Sequence, residues 1–198
     1  MRQASADRVI HKRIGTLRRS SCAGFAELRR GYAVVSKITF RPITEDDMEF
    51  LYQVYASTRQ EELAVTGWSN EEKEKFLRMQ FHAQHAHYQE HFSDAAFDVI
   101  LLDDKPIGRL YVHRLKDEIR VTDIALLPEH RGRGVGSSLL RDLLQEATRA
   151  AKAVRLHVEK NNPAKRLYYR MGFRDIEDVG VYDLMEWTHG TGTDETAP

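Results

Sequence analysis

Two stretches of this 198-residue chain combine residue types and spacings that suit chemistry. The first is Arg131-Gly132-Arg133-Gly134-Val135-Gly136-Ser137, between a strand pattern and a helix pattern. Three glycines let the backbone approach a ligand closely. The first N–H groups of a helix have no intrahelical partner and carry partial positive charge. Together they form an anion site suited to a pyrophosphate, to which Arg131 and Arg133 would add charge-assisted bonds. Two familiar phosphate motifs do not fit. A Walker A loop needs a lysine after its last glycine, and there is none here. The dinucleotide fingerprint is G-x-G-x-x-G inside a parallel βαβ unit, whereas this turn reads G-x-G-x-G and follows antiparallel strands. The second stretch runs from Asn161 to Phe173, NNPAKRLYYRMGF. Its adjacent tyrosines, Tyr168 and Tyr169, point about 100° apart around a helix, so only one of them can face a given ligand.

One folded unit, residues 37–187, must position these stretches. Residues 37–41 read as a short strand closed by Pro42. Thr44 and Asp47 approach a capping box, and Met48, Leu51, Tyr52 and Tyr55 at i, i+3, i+4, i+7 predict an amphipathic helix. Ser69-Asn70-Glu71-Glu72 is a full capping box that opens a second helix, with Leu77, Phe81, Tyr88 and Phe92 on its apolar face. Residues 97–102, 107–115 and 119–127 predict an antiparallel meander, and Pro128 ends its third strand. After the glycine turn come a long helix over about residues 135–152 and a strand over 154–158. A shorter helix follows with Pro163 in its first turn, and Gly172 ends it. Two last strands begin at Phe173 and cover 181–187. The order is βααβββαβαββ, an α/β (α+β) chain without internal repeats.

With both stretches placed, the sequence resembles the GCN5-related N-acetyltransferase (GNAT) superfamily. R-x-x-G-x-G follows a strand ending Leu-Leu-Pro-Glu, and N-x-x-A-x-x-L-Y-x-x-x-G-F follows about 25 residues later. The resemblance covers about residues 37–187. It implies a twisted mixed sheet that splays after its fourth strand, with acetyl-CoA entering the gap. By the same resemblance the backbone of Ile124 and Leu126 would pair with the pantetheine arm. The Leu126 amide would also face the thioester oxygen, an oxyanion-hole role. Arg131, Gly132, Arg133, Gly134, Val135, Gly136 and Ser137 would hold the pyrophosphate, and Asn161 would contact the pantetheine arm. Tyr168 matches the tyrosine that protonates the departing thiolate. A phenol of reference pKa about 10 can donate to a thiolate of about 8.5 when both are held out of water.

The implied reaction is direct acetyl transfer to a primary amine, with no acyl-enzyme and no metal. The general base stays open between Asp123 and Glu159. Glu61 and Glu62, placed in the first helix–helix connection, would attract a cationic amine. Trp68, Phe81, Gln84 and Tyr88 are candidates to shape the acceptor pocket, and Trp187 reads as packing. His82, His85, His87 and His91 share one helix. At 100° per residue they form two pairs on roughly opposite faces, without a third ligand for either.

Composition bounds the rest. Thirty basic and thirty acidic side chains cancel, which argues against a nucleic-acid coat. No apolar run approaches the roughly 20 residues of a membrane helix. The one cysteine, Cys22, excludes an intramolecular disulfide, and with no secretory signal pattern the expectation is a cytoplasmic protein. Residues 1–36 hold eight basic and two acidic side chains, a net of +6 that leaves the rest at −6. They read as a loose arm outside the fold, for which three accounts stand: a translated upstream stretch, a tail for an anionic partner, or a transit-like peptide. Residues 188–198 read as a frayed tail. The acidic folded part favours a small-molecule amine as acceptor. The alternatives are a protein or peptide acceptor and a non-catalytic acyl-CoA sensor, and a homodimer is compatible with all three.

Overall fold

The computed structural model describes residues 37–190. The basic segment 1–36, with Cys22, and the tail beyond residue 190 lie outside the described residues. From β1 (Ile38–Pro42) the chain passes through one 3-10 turn (Glu45–Asp47) into α1 (Met48–Ala64) and α2 (Asn70–His91). The meander follows as β2 (Ala96–Leu102), β3 (Lys105–Arg114) and β4 (Glu118–Leu126). Then come α3 (Val135–Ala150), β5 (Ala153–Glu159), α4 (Lys165–Arg170), β6 (Arg174–Val179) and β7 (Tyr182–Trp187). Apart from short 3-10 turns, this is the order expected from the sequence.

The seven strands form one sheet in the order β1-β2-β3-β4-β5-β7-β6. Only β4 and β5 run parallel, and they are in register only from Glu118↔Ala153 to Val121↔Leu156. Beyond Val121 the two strands part. Against β3, Tyr111 faces Asp123 and Val112 faces Val121, which leaves Thr122 as an extra residue. Such a bulge bends its strand and interrupts regular pairing, so the sheet splays after its fourth strand.

Helix packing decides which face of the sheet the gap opens on. Leu139, Leu140, Leu143, Leu144 and Ala147 of α3 join Leu110, Val112, Val121, Val154, Leu156 and Val158 in the main core. Strand side chains alternate, so Arg155, His157 and Glu159 point to the opposite face, the side of α1 and α2. Those two helices share a second core of Leu51, Tyr52, Tyr55, Leu63, Leu77 and Phe81. The start of α2 is fixed by its capping box: Glu72 N–H donates to Ser69 Oγ (3.2 Å), and Ser69 N–H donates to Glu72 Oε2 (2.8 Å). β3 approaches β4 so closely that a Cβ on Gly108 would lie 2.3 Å from the Ala125 carbonyl oxygen.

Two local expectations need correction. Glu61 and Glu62 lie within α1, not in the connection. The chain from Gln60 to Ala64 holds only good helix formers, and the helix continues until the breaker Gly67 is near. Pro163 precedes α4 instead of entering its first turn. There the Asn162 side chain caps the bend by accepting the Ala164 N–H at 2.9 Å.

Candidate active site

Where β4 and β5 part, the protein has a cavity of about 200 Å³. Thr122 to Ala125 of β4 and Leu156 to Glu159 of β5 form its sides. Tyr55, Thr58 and Arg59 of α1, with Gln84 and Tyr88 of α2, cover it. Arg109, Asn162, Tyr168 and Tyr182 complete the wall. A second cavity of about 330 Å³ adjoins it between α1 and the β6–β7 turn, lined by Arg59, Glu62, Glu159, Lys160, Asn161 and Val181.

Tyr168 is buried in the first cavity wall, with its ring against Phe173 (centroids 5.7 Å apart). Burial, with the Asp123 charge a second cause, pushes its phenol up to about 12. The group therefore keeps its proton at neutral pH, as a donor must. Tyr169 turns outward, and its hydroxyl donates to Asp175 Oδ2 (2.5 Å). The helix thus presents one tyrosine to the cavity, as the 100° step requires.

Asp123 and Glu159, the two base candidates, are both taken by arginines. Arg109 Nη2 donates to Asp123 Oδ2 (2.7 Å) and to Gln84 Oε1 (3.0 Å), with the Tyr88 hydroxyl 3.5 Å from the same carboxylate oxygen. The Arg109 and Asp123 side chains are 4% and 13% exposed. Breaking a buried pair of this kind costs about 3–5 kcal/mol, so Asp123 is committed to Arg109. The aromatic surroundings are equally enclosed: burial raises the phenols of Tyr88 and Tyr111, the latter to about 12. Glu159 accepts from Arg59 Nη1 at 2.8 Å. His157, in contrast, lines the cavity without a hydrogen-bond or ion-pair partner among the described residues. The sequence reading missed both His157 and Arg109. Alternation along β5 was the available signal for the histidine.

The glycine turn has the conformation a close backbone approach needs. Gly132 and Gly134 have φ of +69° and +84°. A Cβ on Gly136 would meet nothing within 4 Å, and its helical backbone does not demand glycine. The space in front of Gly136 is open, and a pyrophosphate on the turn would fit it. Val135 is buried, so only its backbone is available, and Ser137 is half-buried in the first turn of α3. Arg133 is exposed. Arg131 is already engaged: Nε donates to the Leu126 carbonyl (2.8 Å) and Nη2 to Ser57 Oγ (2.6 Å). It ties α1 to the end of β4 instead of reaching out from the turn.

Leu127 N–H donates to the Ile107 carbonyl across to β3 (2.9 Å). Alternation then turns the amides of Ile124 and Leu126 away from β3, toward the gap. Asn161 is exposed on the second cavity, whereas its neighbour Asn162 lines the first. Of the acceptor candidates, Gln84 and Tyr88 reach the cavity. Phe81 is core, and Trp68 sits in the α1–α2 connection against Phe76. Trp187 packs on the main core. His82 and His85 flank Phe81, and His87 stacks on His91 (4.1 Å between centroids). Among the described residues, no three metal-binding side chains gather at one point.

Known proteins share this architecture. The profile of the Acetyltransferase (GNAT) family matches residues 48–173. A Bacillus subtilis protein named "putative ribosomal protein bS18-alanine N-acetyltransferase" is 27% identical over 142 residues, 70% of this chain and 82% of that protein. The PaiA N-acetyltransferase of Thermoplasma acidophilum, solved with coenzyme A, superposes with a TM-score of 0.58 at 21% identity, over 77% of this chain and 99% of its own. The ribosomal-protein-S18-alanine N-acetyltransferase of Escherichia coli superposes with a TM-score of 0.51 at 19% identity, over 81% and 99%. The profile match spans most of the folded part, from α1 through the Gly-rich turn to Phe173 after α4, and the splayed sheet is the one these structures share. The chain belongs to the GNAT family and is an acetyltransferase.

Proposed function

We propose that this chain transfers an acetyl group from acetyl-CoA to the α-amino terminus of a peptide or protein, with the reaction centred on the cavity at Tyr168. The observation that carries the reading is that this cavity borders the one between α1 and the β6–β7 turn, the two sharing Arg59 and Glu159 in their walls. An extended acceptor can enter along the second cavity and place its amine beside His157 and Tyr168. The similarity to a relative named for a ribosomal-protein alanine supports the same acceptor class.

Acetyl-CoA supplies an activated thioester carbonyl. The residues that would hold it are the amides of Ile124 and Leu126 and the turn from Gly132 to Ser137. The Leu126 amide would stabilise charge on the carbonyl oxygen. An arriving ammonium must lose a proton before it can attack, and the His157 ring is the acceptor the cavity leaves unpaired. The Tyr168 hydroxyl would give its proton to the departing thiolate. Arg131 supports this arrangement indirectly by fixing the Leu126 carbonyl.

A small-molecule amine is the second reading, favoured by the net acidity of the folded part and the modest size of the first cavity. One assay separates the two. Coenzyme A release is followed with peptides of varied N-terminal residue, the same peptides blocked at the N-terminus, amino acids and small amines. Release confined to free-N-terminus peptides is the expected result. Release confined to small amines would overturn the peptide reading. His157→Gln run beside the wild type should lower kcat at neutral pH; an unchanged kcat would remove His157 from the mechanism.

A further inference from the structure

Arg59 lies where the two cavities meet and lines both. Its Nη1 donates to Glu62 Oε1 and to Glu159 Oε1, each at 2.8 Å. The first bond stays within α1. The second crosses from α1 to the end of β5, at the border of the two cavities. The guanidinium lies over the Tyr55 ring at 5.9 Å, and its Nε is buried without a hydrogen-bond partner. The side chain is 23% exposed, against 57% for Glu62 and 32% for Glu159, so the cation is the inner member of the group. The other basic group on the second cavity, Lys160, is paired with Asp178 (2.7 Å). At this border the two carboxylates have Arg59 as their shared counter-charge.

We propose that Arg59 is a specificity-determining residue: its guanidinium fills the paired-carboxylate site of Glu62 and Glu159 at the acceptor entrance and so excludes polycationic amines. The proposal rests on the second cavity being the acceptor path. Two carboxylates at a cleft mouth attract cations and would favour an acceptor with a second charged amine. Arginine does not deprotonate at any physiological pH, so the site stays filled. A monocationic acceptor needs only to deliver its amine past this point. A linear triamine must place another ammonium near Glu62 or Glu159, and there it meets the guanidinium.

The test compares kcat/KM for spermidine with that for the monocationic peptide Ala-Gly-Gly-amide, at low ionic strength, in the wild type, Arg59→Gln and the double variant Arg59→Gln/Glu159→Gln. The ratio within each variant cancels any loss of folded protein. In Arg59→Gln the spermidine-to-peptide ratio should rise about fivefold or more, the scale of one uncompensated charge near a protein surface. The second substitution should remove most of the gain, because the freed carboxylate is its source. A ratio within twofold of wild type in Arg59→Gln would overturn the proposal, as would a gain that survives Glu159→Gln. A wild type that prefers spermidine would overturn it too, while leaving acetyl transfer to amines intact. No release with either amine in the wild type would sink the amine-acceptor reading, and the proposal with it.

Discussion

Alanine in place of Gly136 separates donor binding from folding. Gly136 lies in the first turn of α3 with ordinary helical backbone, and a Cβ there would meet no protein atom within 4 Å. Nothing inside the protein resists the methyl group. Alanine is a better helix former than glycine by up to about 1 kcal/mol, and a helix start realises part of that. For a chain of this size the melting temperature should therefore hold or rise, by up to about 4 °C. Donor binding should move the other way. If the turn holds the pyrophosphate, the new methyl group stands in the approach to the helix N–H groups. Hydrogen bonds to charged groups are worth about 1.5–3 kcal/mol, so weakening one raises KM for acetyl-CoA about tenfold or more. Valine should raise it further. The assay pairs thermal melts with initial rates across acetyl-CoA concentration at saturating acceptor. A KM within twofold of wild type, beside an unchanged or raised melting temperature, would refute the cradle.

Two further substitutions test the elements around the gap. Gly108→Ala places a Cβ 2.3 Å from the Ala125 oxygen and 2.8 Å from Leu126 Cδ2. Overpacking costs about 1–3 kcal/mol, and here it should also displace the Leu126 amide, lowering both the melting temperature and kcat; a wild-type melt and rate would contradict the close approach. Asp47 is held down to about 2 by hydrogen bonds from Arg41, against burial that pushes it up, with the Thr44 amide and hydroxyl as further donors. A depressed carboxylate stabilises the fold above its unfolded pKa near 4, and the stability is lost as pH falls from about 4 to 2, about 2 kcal/mol in all. Urea unfolding of Asp47→Asn should show that loss already at pH 7 and a flatter acid limb; superposable profiles would refute it.

Much of the fold was legible because its signals are local. The capping box at Ser69, the i, i+3, i+4, i+7 stripe from Met48 and the turn at Gly132 to Gly136 each lie within a few residues. The element order follows from them. The site is legible where the direction of a side chain depends on its own helix turn, as with Tyr168, which faces the cavity, against Tyr169, which does not. It is illegible where the role depends on register. Arg109 and Asp123 meet because β3 and β4 pair with a bulge at Thr122, and no pattern in either segment marks that bulge. His157 faces the cavity because α3 takes the other side of β5. Arg131 reads as a phosphate ligand from its place beside the glycines, yet Ser57, 74 positions away, takes its guanidinium. Glu159 reads as a free carboxylate until α1 brings Arg59 across the cleft.

The most direct measurement of acetyl transfer at this cavity is coenzyme A release by Tyr168→Phe, with a free-N-terminus peptide as acceptor. Phenylalanine keeps the ring against Phe173 and removes only the hydroxyl, so the fold and the KM for acetyl-CoA should change little. General acid catalysis contributes about 10²–10⁴-fold, and kcat should fall by an amount in that range. A kcat within twofold of wild type would contradict Tyr168 as the proton donor and move the reaction centre away from the gap between β4 and β5.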